Sequence, residues 1–323
     1  MRQNFLLLIA AILILFSGNM IVSAQQPVDK RSRKKQEDVR PVTIPISVRA
    51  GDVKVGGQRG EILEAGNFTV RENGEERTIL SLRSTSDSPL HFAVLIQEDL
   101  VSSVNLELKG IGNFIRRLPK GSRVMVGYMR GGTLQVRQRF TDDLEKAAES
   151  LRIVSGSTVN APFNPYVGIL DALDRFDNLP VGRRAILVVS DGLDASQGMS
   201  SASPGQSLDL QRAILRAQRS SVAIYPIYTA TAATDRGGSI LVSYGQGSLD
   251  KLAEETGGRA FFSGTSSPVS FSPFLRELGI ILNRQFALTY LSTNKRKGFR
   301  RIEIKSDNPG IKIEHPSGVI PRN

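Results

Sequence analysis

Cysteine is missing from all 323 residues, which excludes disulfides, thiolate metal sites and thiol nucleophiles. Tryptophan is missing too, and histidine occurs only as His91 and His315. A hydrolase of the Ser-His-Asp type, the alternative with least behind it, would have to recruit one of these two. His91 stands at a strand entrance and His315 directly before Pro316, and each reads as a surface or structural imidazole. A phosphate-cradling loop is also lacking: 51–60 (GDVKVGGQRG) has turn glycines without the helix that must follow. The adjacent acids Asp142-Asp143 and Glu254-Glu255 fall on helices, where neighbouring side chains point apart, so they read as caps and solvated faces. The expectation is a protein that is not an enzyme and has no catalytic residue.

What is present is a globular composition, 40% hydrophobic, with a formal charge of +11 that favours anionic partners without identifying one. Residues 1–24 read as a signal peptide. Arg2 supplies the positive start, 5–16 (FLLLIAAILILF) the apolar core, and Val22-Ser23-Ala24 the small residues at the cleavage positions. Ser17-Gly18-Asn19 interrupts the run before it reaches the roughly 20 apolar residues that a membrane-spanning anchor needs. The expected location is therefore periplasmic or secreted. Residues 25–41 form a basic linker carrying Lys30, Arg31, Arg33, Lys34 and Lys35, a composition that stays solvated and disordered.

From residue 42 the pattern becomes strand-like. An N-terminal β segment spans 42–88 and contains a hairpin signal, 67–72 (NFTVRE), Asn73-Gly74 and 75–82 (EERTILSL), with the pair favoured in two-residue primed turns. Asn67-Phe68-Thr69 is a glycosylation sequon by type, but in a tight β region its structural reading prevails.

Residues 89–283 alternate between the two periodicities. Strands are expected at 92–96 (FAVLI), 123–128 (RVMVGY), 134–140 (LQVRQRF, an edge strand), 185–189, 222–229 and 259–262. Helices are expected at 104–118, with Leu108, Ile111, Phe114, Ile115 and Leu118 on one face, and from an N-cap at Thr141 to about 153. Others are expected at 166–176, 208–219, 248–256 (closed by Gly257-Gly258) and 272–282.

Alternating strands and helices argue for an α/β fold with a doubly wound, mostly parallel sheet flanked by helices. A C-terminal β segment, 284–323, follows. The terminal β segments either extend that sheet or pair with each other as a small second layer; the second is favoured, because neither has strands enough for a core of its own.

Within 183–194 (RRAILVVSDGLD) the unbroken apolar run 185–189 reads as a strand buried on both faces. It delivers Ser190, Asp191 and Gly192 to the carboxyl edge of the sheet, where open α/β folds bind ligands; the competing reading is an ordinary turn with Asp as turn former.

The ordered set FAVLI, LPKGSRVMVGY, RRAILVVSDGLD, LAEETGGRAFF and FALTY resembles the von Willebrand factor type A domain. With NFTVRENGEERTILSL before it and FRRIEIKS behind, the chain from 42 to 320 resembles the secreted bacterial subgroup first described in acidobacteria. The resemblance implies a Rossmann-like sheet and a metal-ion-dependent adhesion site on its upper edge. That site is made from an Asp-x-Ser-x-Ser turn after the first strand, a threonine from a later loop, and the Asp of SDG. Hydroxyls and carboxylates there supply hard oxygens to Mg²⁺ and leave one position open for a partner's carboxylate.

Asp191 matches the last position, and Thr158 in GSTV matches the threonine. The first turn departs from the pattern and admits two registers. With Gln97 first, Asp99 and Val101 fall on the two serines; with Asp99 first, Val101 and Ser103 do. Each register loses at least one direct ligand, so the candidate ligand set is Asp99, Ser103, Thr158 and Asp191 of a degenerate site, with Mg²⁺ as the only candidate cofactor.

These readings combine into an exported, non-enzymatic binding or adhesion module. Its protein partner is expected on the upper loop edge, at Gln97, Glu98, Asp99, Ser102, Ser103, Thr158, Asn160, Asp191, Gly192 and Asp194. The alternative is a basic envelope protein binding an anionic polymer or lipid surface through Arg116, Arg117, Lys120 and Arg123, or through Lys295, Arg296, Lys297, Arg300 and Arg301. No aromatic interleaving accompanies these clusters, so specific nucleic-acid binding is not expected.

Overall fold

The computed structural model describes residues 39–50, 68–84, 88–161, 163–198, 202–236, 238–293, 298–308 and 310–320. The expected signal peptide, nearly all of the basic linker, the 51–60 stretch and Lys295 to Lys297 lie outside the described residues. Among the described residues the strands are β1 (Arg40–Ala50), β2 (Phe68–Glu72), β3 (Glu75–Arg77), β4 (Ile79–Arg83), β5 (Leu90–Gln97), β6 (Arg123–Arg130), β7 (Thr133–Thr141), β8 (Arg183–Ser190), β9 (Ala223–Tyr228), β10 (Gln285–Ser292), β11 (Arg300–Ser306), β12 (Ile311–Glu314) and β13 (Gly318–Val319). The helices are α1 (Val104–Arg116), α2 (Leu144–Glu149), α3 (Pro165–Asp174), α4 (Leu208–Ser220), α5 (Ala232–Arg236), α6 (Gly238–Thr256) and α7 (Ser272–Asn283).

Five strands form the central sheet in the order β7-β6-β5-β8-β9; β7 runs antiparallel to β6 and the other pairs are parallel. Every residue of β5 and β8 is buried, which is why both read as continuous apolar runs and not as alternating ones. The period of two is still at work inside them. Phe92, Val94, Ile96, Leu187 and Val189 meet α1, α2 and α7, while Ala93, Leu95, Ile186 and Val188 meet α3, α4 and the end of α6. The expected α/β layering is therefore present. Among the described residues no helix is long and apolar enough to cross a membrane.

The terminal segments pair with each other in two four-stranded sheets, β12-β1-β10-β4 and β13-β11-β2-β3. Ile44, Ile46, Leu288 and Tyr290 from the first sheet share a core with Val70, Ile302 and Ile304 from the second. This sandwich joins the base of the central sheet. The buried guanidinium of Arg183 donates to the carbonyls of Gln285 (2.9 Å), Ser88 (3.3 Å) and Leu282. The Tyr225 hydroxyl lies 3.3 Å from both Ser47 Oγ and Gln285 Nε2.

Several local expectations are corrected. The run 75–82 is not one strand: it breaks at Thr78, and β3 and β4 belong to different sheets. Residues 259–262 form no strand, only a single parallel bridge between Phe261 and Ile227. Asp143, not Thr141, caps α2, its carboxylate accepting from Lys146 N at 2.9 Å, and the helix stops at Glu149. The helix read as 248–256 begins ten residues earlier, at Gly238, and runs through Gly245 and Gly247. Asn164 opens α3, its Oδ1 accepting from Tyr166 N at 3.0 Å with Pro165 in the first turn.

Candidate functional site

β5, β8 and β9 end side by side, and their last residues carry a buried polar cluster. β5 supplies Gln97 and leads into Asp99, β8 supplies Ser190 and leads into Asp191, and the chain after β9 supplies Thr231. An isolated antiparallel bridge between Leu100 and Thr231 holds the first and third of these together.

Gln97 is the hub. Its Oε1 accepts from Ser190 Oγ at 2.5 Å and from the backbone N–H of Asp191 at 3.3 Å. A backbone N–H can only donate, so the atom facing it must be the amide oxygen, and the amide nitrogen must face the other way. Nε2 accordingly donates to Asp99 Oδ1 at 3.0 Å and Asp191 Oδ1 at 3.2 Å. Asp191 Oδ1 also accepts from Leu193 N at 3.1 Å, and its Oδ2 accepts from Thr231 Oγ1 at 2.8 Å. Burial pushes the Asp191 carboxyl up to about 6, against the pull of the Leu193, Thr231 and Gln97 hydrogen bonds. Burial raises Asp99 as well.

The turn beneath is tightly specified. Gly192 adopts φ +68°, and its carbonyl accepts from the buried Tyr166 hydroxyl at 2.6 Å. A Cβ on Gly245 of α6 would collide with the Asp191 carbonyl oxygen. Gly245 thus lets α6 lie directly against the SDG turn, while a Cβ on Gly247 would come within 3.2 Å of Pro204 Cγ, outside that turn.

The remaining edge residues divide into buried and exposed. Glu98 is buried and paired with Arg152 through two hydrogen bonds of 2.9 and 2.7 Å; the Arg152 guanidinium lies 4.2 Å from the centroid of the Tyr128 ring. Glu98 O also accepts from Gly156 N at 3.3 Å, so this pair pins the 151–157 loop to the end of β5. Asp194 is buried and accepts from Ser196 Oγ (2.6 Å) and Ser207 Oγ (2.5 Å), the latter being the cap of α4.

Ser102 and Ser103 are exposed, and Ser103 opens α1 without a side-chain capping bond. Thr158 is exposed on a single 3₁₀ turn, Thr158–Asn160, and among the described residues it hydrogen-bonds to no member of the cluster; the side chain of Asn160 is not among those described. The hydroxyl on Asp191 Oδ2 is that of Thr231, which nothing in the sequence singled out from its neighbours Thr229 and Thr234. Arg152 and Tyr166 carried no sequence signal either.

A divalent cation does not fit these residues as they stand. The position between the two carboxylates is filled by an amide nitrogen whose two hydrogens are already directed at them, and Val101 offers no oxygen. Among the described residues no group of three or more His, Cys, Asp or Glu side chains is placed to hold a metal.

The strand order, the helical layers and a polar cluster at the carboxyl edge define a doubly wound, mostly parallel α/β unit. No family model and no curated protein matches the chain. Solved structures do. An aerotolerance-related membrane protein from Bacteroides fragilis is 14% identical, with 60% of this chain and 98% of that one covered and a TM-score of 0.42. A von Willebrand factor type A structure from Catenulispora acidiphila is 11% identical, with 80% and 74% covered and a TM-score of 0.42. The conserved hypothetical protein BatB from Bacteroides thetaiotaomicron is 11% identical, with 59% and 95% covered and a TM-score of 0.37.

Proposed function

We propose that the chain is an exported, non-enzymatic interaction module that engages a protein partner with the loops 97–103, 155–165 and 192–207, and that it does so without a metal ion. The observation that carries this reading is the Gln97 amide set between Asp99 and Asp191, a neutral group in the place where an adhesion site of this kind needs a cation. The cluster is then a rigid support: it ties the ends of β5, β8 and β9 into one platform, and the loops above it do the recognising. Export rests on the leader pattern of residues 1–24.

The polyanion alternative loses part of its charge in the folded chain. Arg116 is paired with Glu145 at 2.7 Å, and Arg300 is buried against Glu72 at 3.1 Å.

The experiment is capture from envelope fractions by the immobilised mature chain, with and without EDTA. Capture is expected to survive EDTA and to be lost when Ser102, Ser103, Thr158 and Val159 are replaced together by alanine. Loss with EDTA, or capture indifferent to the loop substitutions, overturns the reading.

A further inference from the structure

On the flank of the molecule, away from the strand-end cluster, α1 and α7 leave a groove between them with a volume of ≈ 440 Å³. Two glycines make it. Gly110 on α1 lies against Leu275, Gly279 on α7 lies against Phe114, and Leu118 and Ile280 continue the apolar lining toward the helix ends. Ile280 is half exposed, an apolar side chain on the lip of a groove that nothing among the described residues fills.

Two arginines line this groove, and one carboxylate, that of Glu107, lies beside Gly110. Arg117, just past the end of α1, and Arg276 on α7 line it from opposite sides, both exposed, and among the described residues neither has an acidic partner. Other exposed arginines, Arg123, Arg137 and Arg219 among them, also lack an acidic partner among the described residues; what distinguishes Arg117 and Arg276 is that both line one groove, whereas several other arginines are neutralised. Arg116 is held by Glu145, Arg212 by Asp209, Arg216 by Asp174 and Asp177, and Arg259 by Glu277 and Glu314. The carboxylates nearest the groove are already engaged: Glu107 accepts from Phe271 N at 2.7 Å, and Glu277 is the one that Arg259 holds. Lys120, exposed in the turn after α1, adds a further positive charge at the lower end.

We infer that this groove docks a short acidic segment of a partner protein, with an apolar side chain seated between Gly110 and Gly279 and flanking carboxylates on Arg117 and Arg276. From Gly110 to Arg116, the last residue of α1, the span is about 9 Å at a helical rise of about 1.5 Å per residue, which an extended segment of about three residues covers. Charge complementarity selects acidic over basic segments, and the seat between the glycines adds apolar contact that a bare charged surface lacks.

The probe is a fluorescein-labelled peptide with Leu-Phe at its centre flanked by Asp and Glu, followed by fluorescence anisotropy. Its counterpart with Lys replacing the acids, and vesicles of phosphatidylglycerol, are measured alongside. The acidic peptide is expected to bind with an affinity that falls as salt rises, and the combined variant Arg117→Glu/Arg276→Glu to bind at least about tenfold more weakly. Gly279→Leu, which leaves every charge in place, is expected to weaken binding to the same extent by filling the groove.

Both arginines are exposed, and an added Cβ on Gly279 meets Phe114 at an ordinary 3.7 Å, so the helical circular dichroism of these variants should match that of the parent. Three results would overturn the inference: unchanged peptide binding by Gly279→Leu, equal binding of the Lys counterpart, or binding of the vesicles without binding of the peptide.

Discussion

Gln97 meets Asp191 with both ends of its amide, the oxygen taking the backbone N–H of Asp191 at 3.3 Å and the nitrogen donating to its Oδ1 at 3.2 Å. One side chain thus fixes a residue at its main chain and at its carboxylate together. The same nitrogen reaches Asp99, so two buried acids stand side by side with a neutral donor between them.

Gln97→Asp removes that donor and adds a third carboxylate. Without metal the variant is expected to lose about 1–3 kcal/mol, since Asp99 and Asp191 are left buried with a partner missing. Isothermal titration with Mn²⁺ should then give binding heat for Gln97→Asp and none for the parent chain. Heat from the parent that disappears in Asp191→Ala would mean that the amide does not exclude a cation.

The pH dependence of stability contains two opposing contributions. Asp191, raised to about 6 in the fold by burial, holds its proton longer folded than unfolded, so its contribution falls as pH rises from about 4 to about 6, by up to about 3 kcal/mol. His91 is lowered to about 4, first by burial and then by Arg184 and Arg123, so its contribution is complete above about 6.5 and is lost as pH falls toward 4. Urea unfolding of the parent across this window supplies the reference profile, to which Asp99, also raised by burial, adds in the direction of Asp191. Asp191→Asn should expose a loss of stability in acid, and His91→Gln a gain; parallel profiles for all three chains would contradict the assignment.

Arg152→Leu strands the buried Glu98 carboxylate. The expected cost is about 3 kcal/mol, the size found when one member of a buried pair is removed. The 151–157 loop, left with the Gly156 N–Glu98 O bond and the Asn105 bonds to Val154, should become more susceptible to limited proteolysis. An unchanged cleavage pattern would show that the loop is held by other contacts.

Gly245→Ala sets helix propensity against packing. Alanine favours the interior of α6 by about 1 kcal/mol. Its Cβ would collide with the Asp191 carbonyl oxygen, which belongs to a residue that Gln97 anchors at its N–H and at its carboxylate. Packing wins, and a net loss of about 1–3 kcal/mol is expected by thermal unfolding. A stabilised variant would show that α6 does not lie against the turn.

The strands at the centre were legible because burial on both faces leaves an unmistakable mark: 92–96 and 185–189 are apolar throughout, and only an inner strand of a parallel sheet demands that. The hairpin at Asn73-Gly74 was legible for a similar local reason, the requirement for positive φ at both turn residues, which the fold shows at +52° and +85°. The exchange of sheets at Thr78 was not, since 75–82 has one continuous β pattern and nothing in it records which partner each half will find. The first half of α6 was hidden as well: glycine disfavours a helix interior, and the reason for Gly245 lies in the turn it approaches.

At the strand-end cluster the amino-acid order alone determined that Gln97 and Asp99 would follow one inner strand and Asp191 another, because hydrophobic periodicity places each strand and its end. It also determined that the first turn lacks the serines of a complete metal site. Only the tertiary structure decided that the Gln97 amide turns its nitrogen to both acids, and that Thr231, 40 residues beyond Asp191, supplies the last hydrogen bond. Hydrogen-bond direction depends on which donors and acceptors are brought within about 3 Å, and that proximity exists only once the sheet has closed.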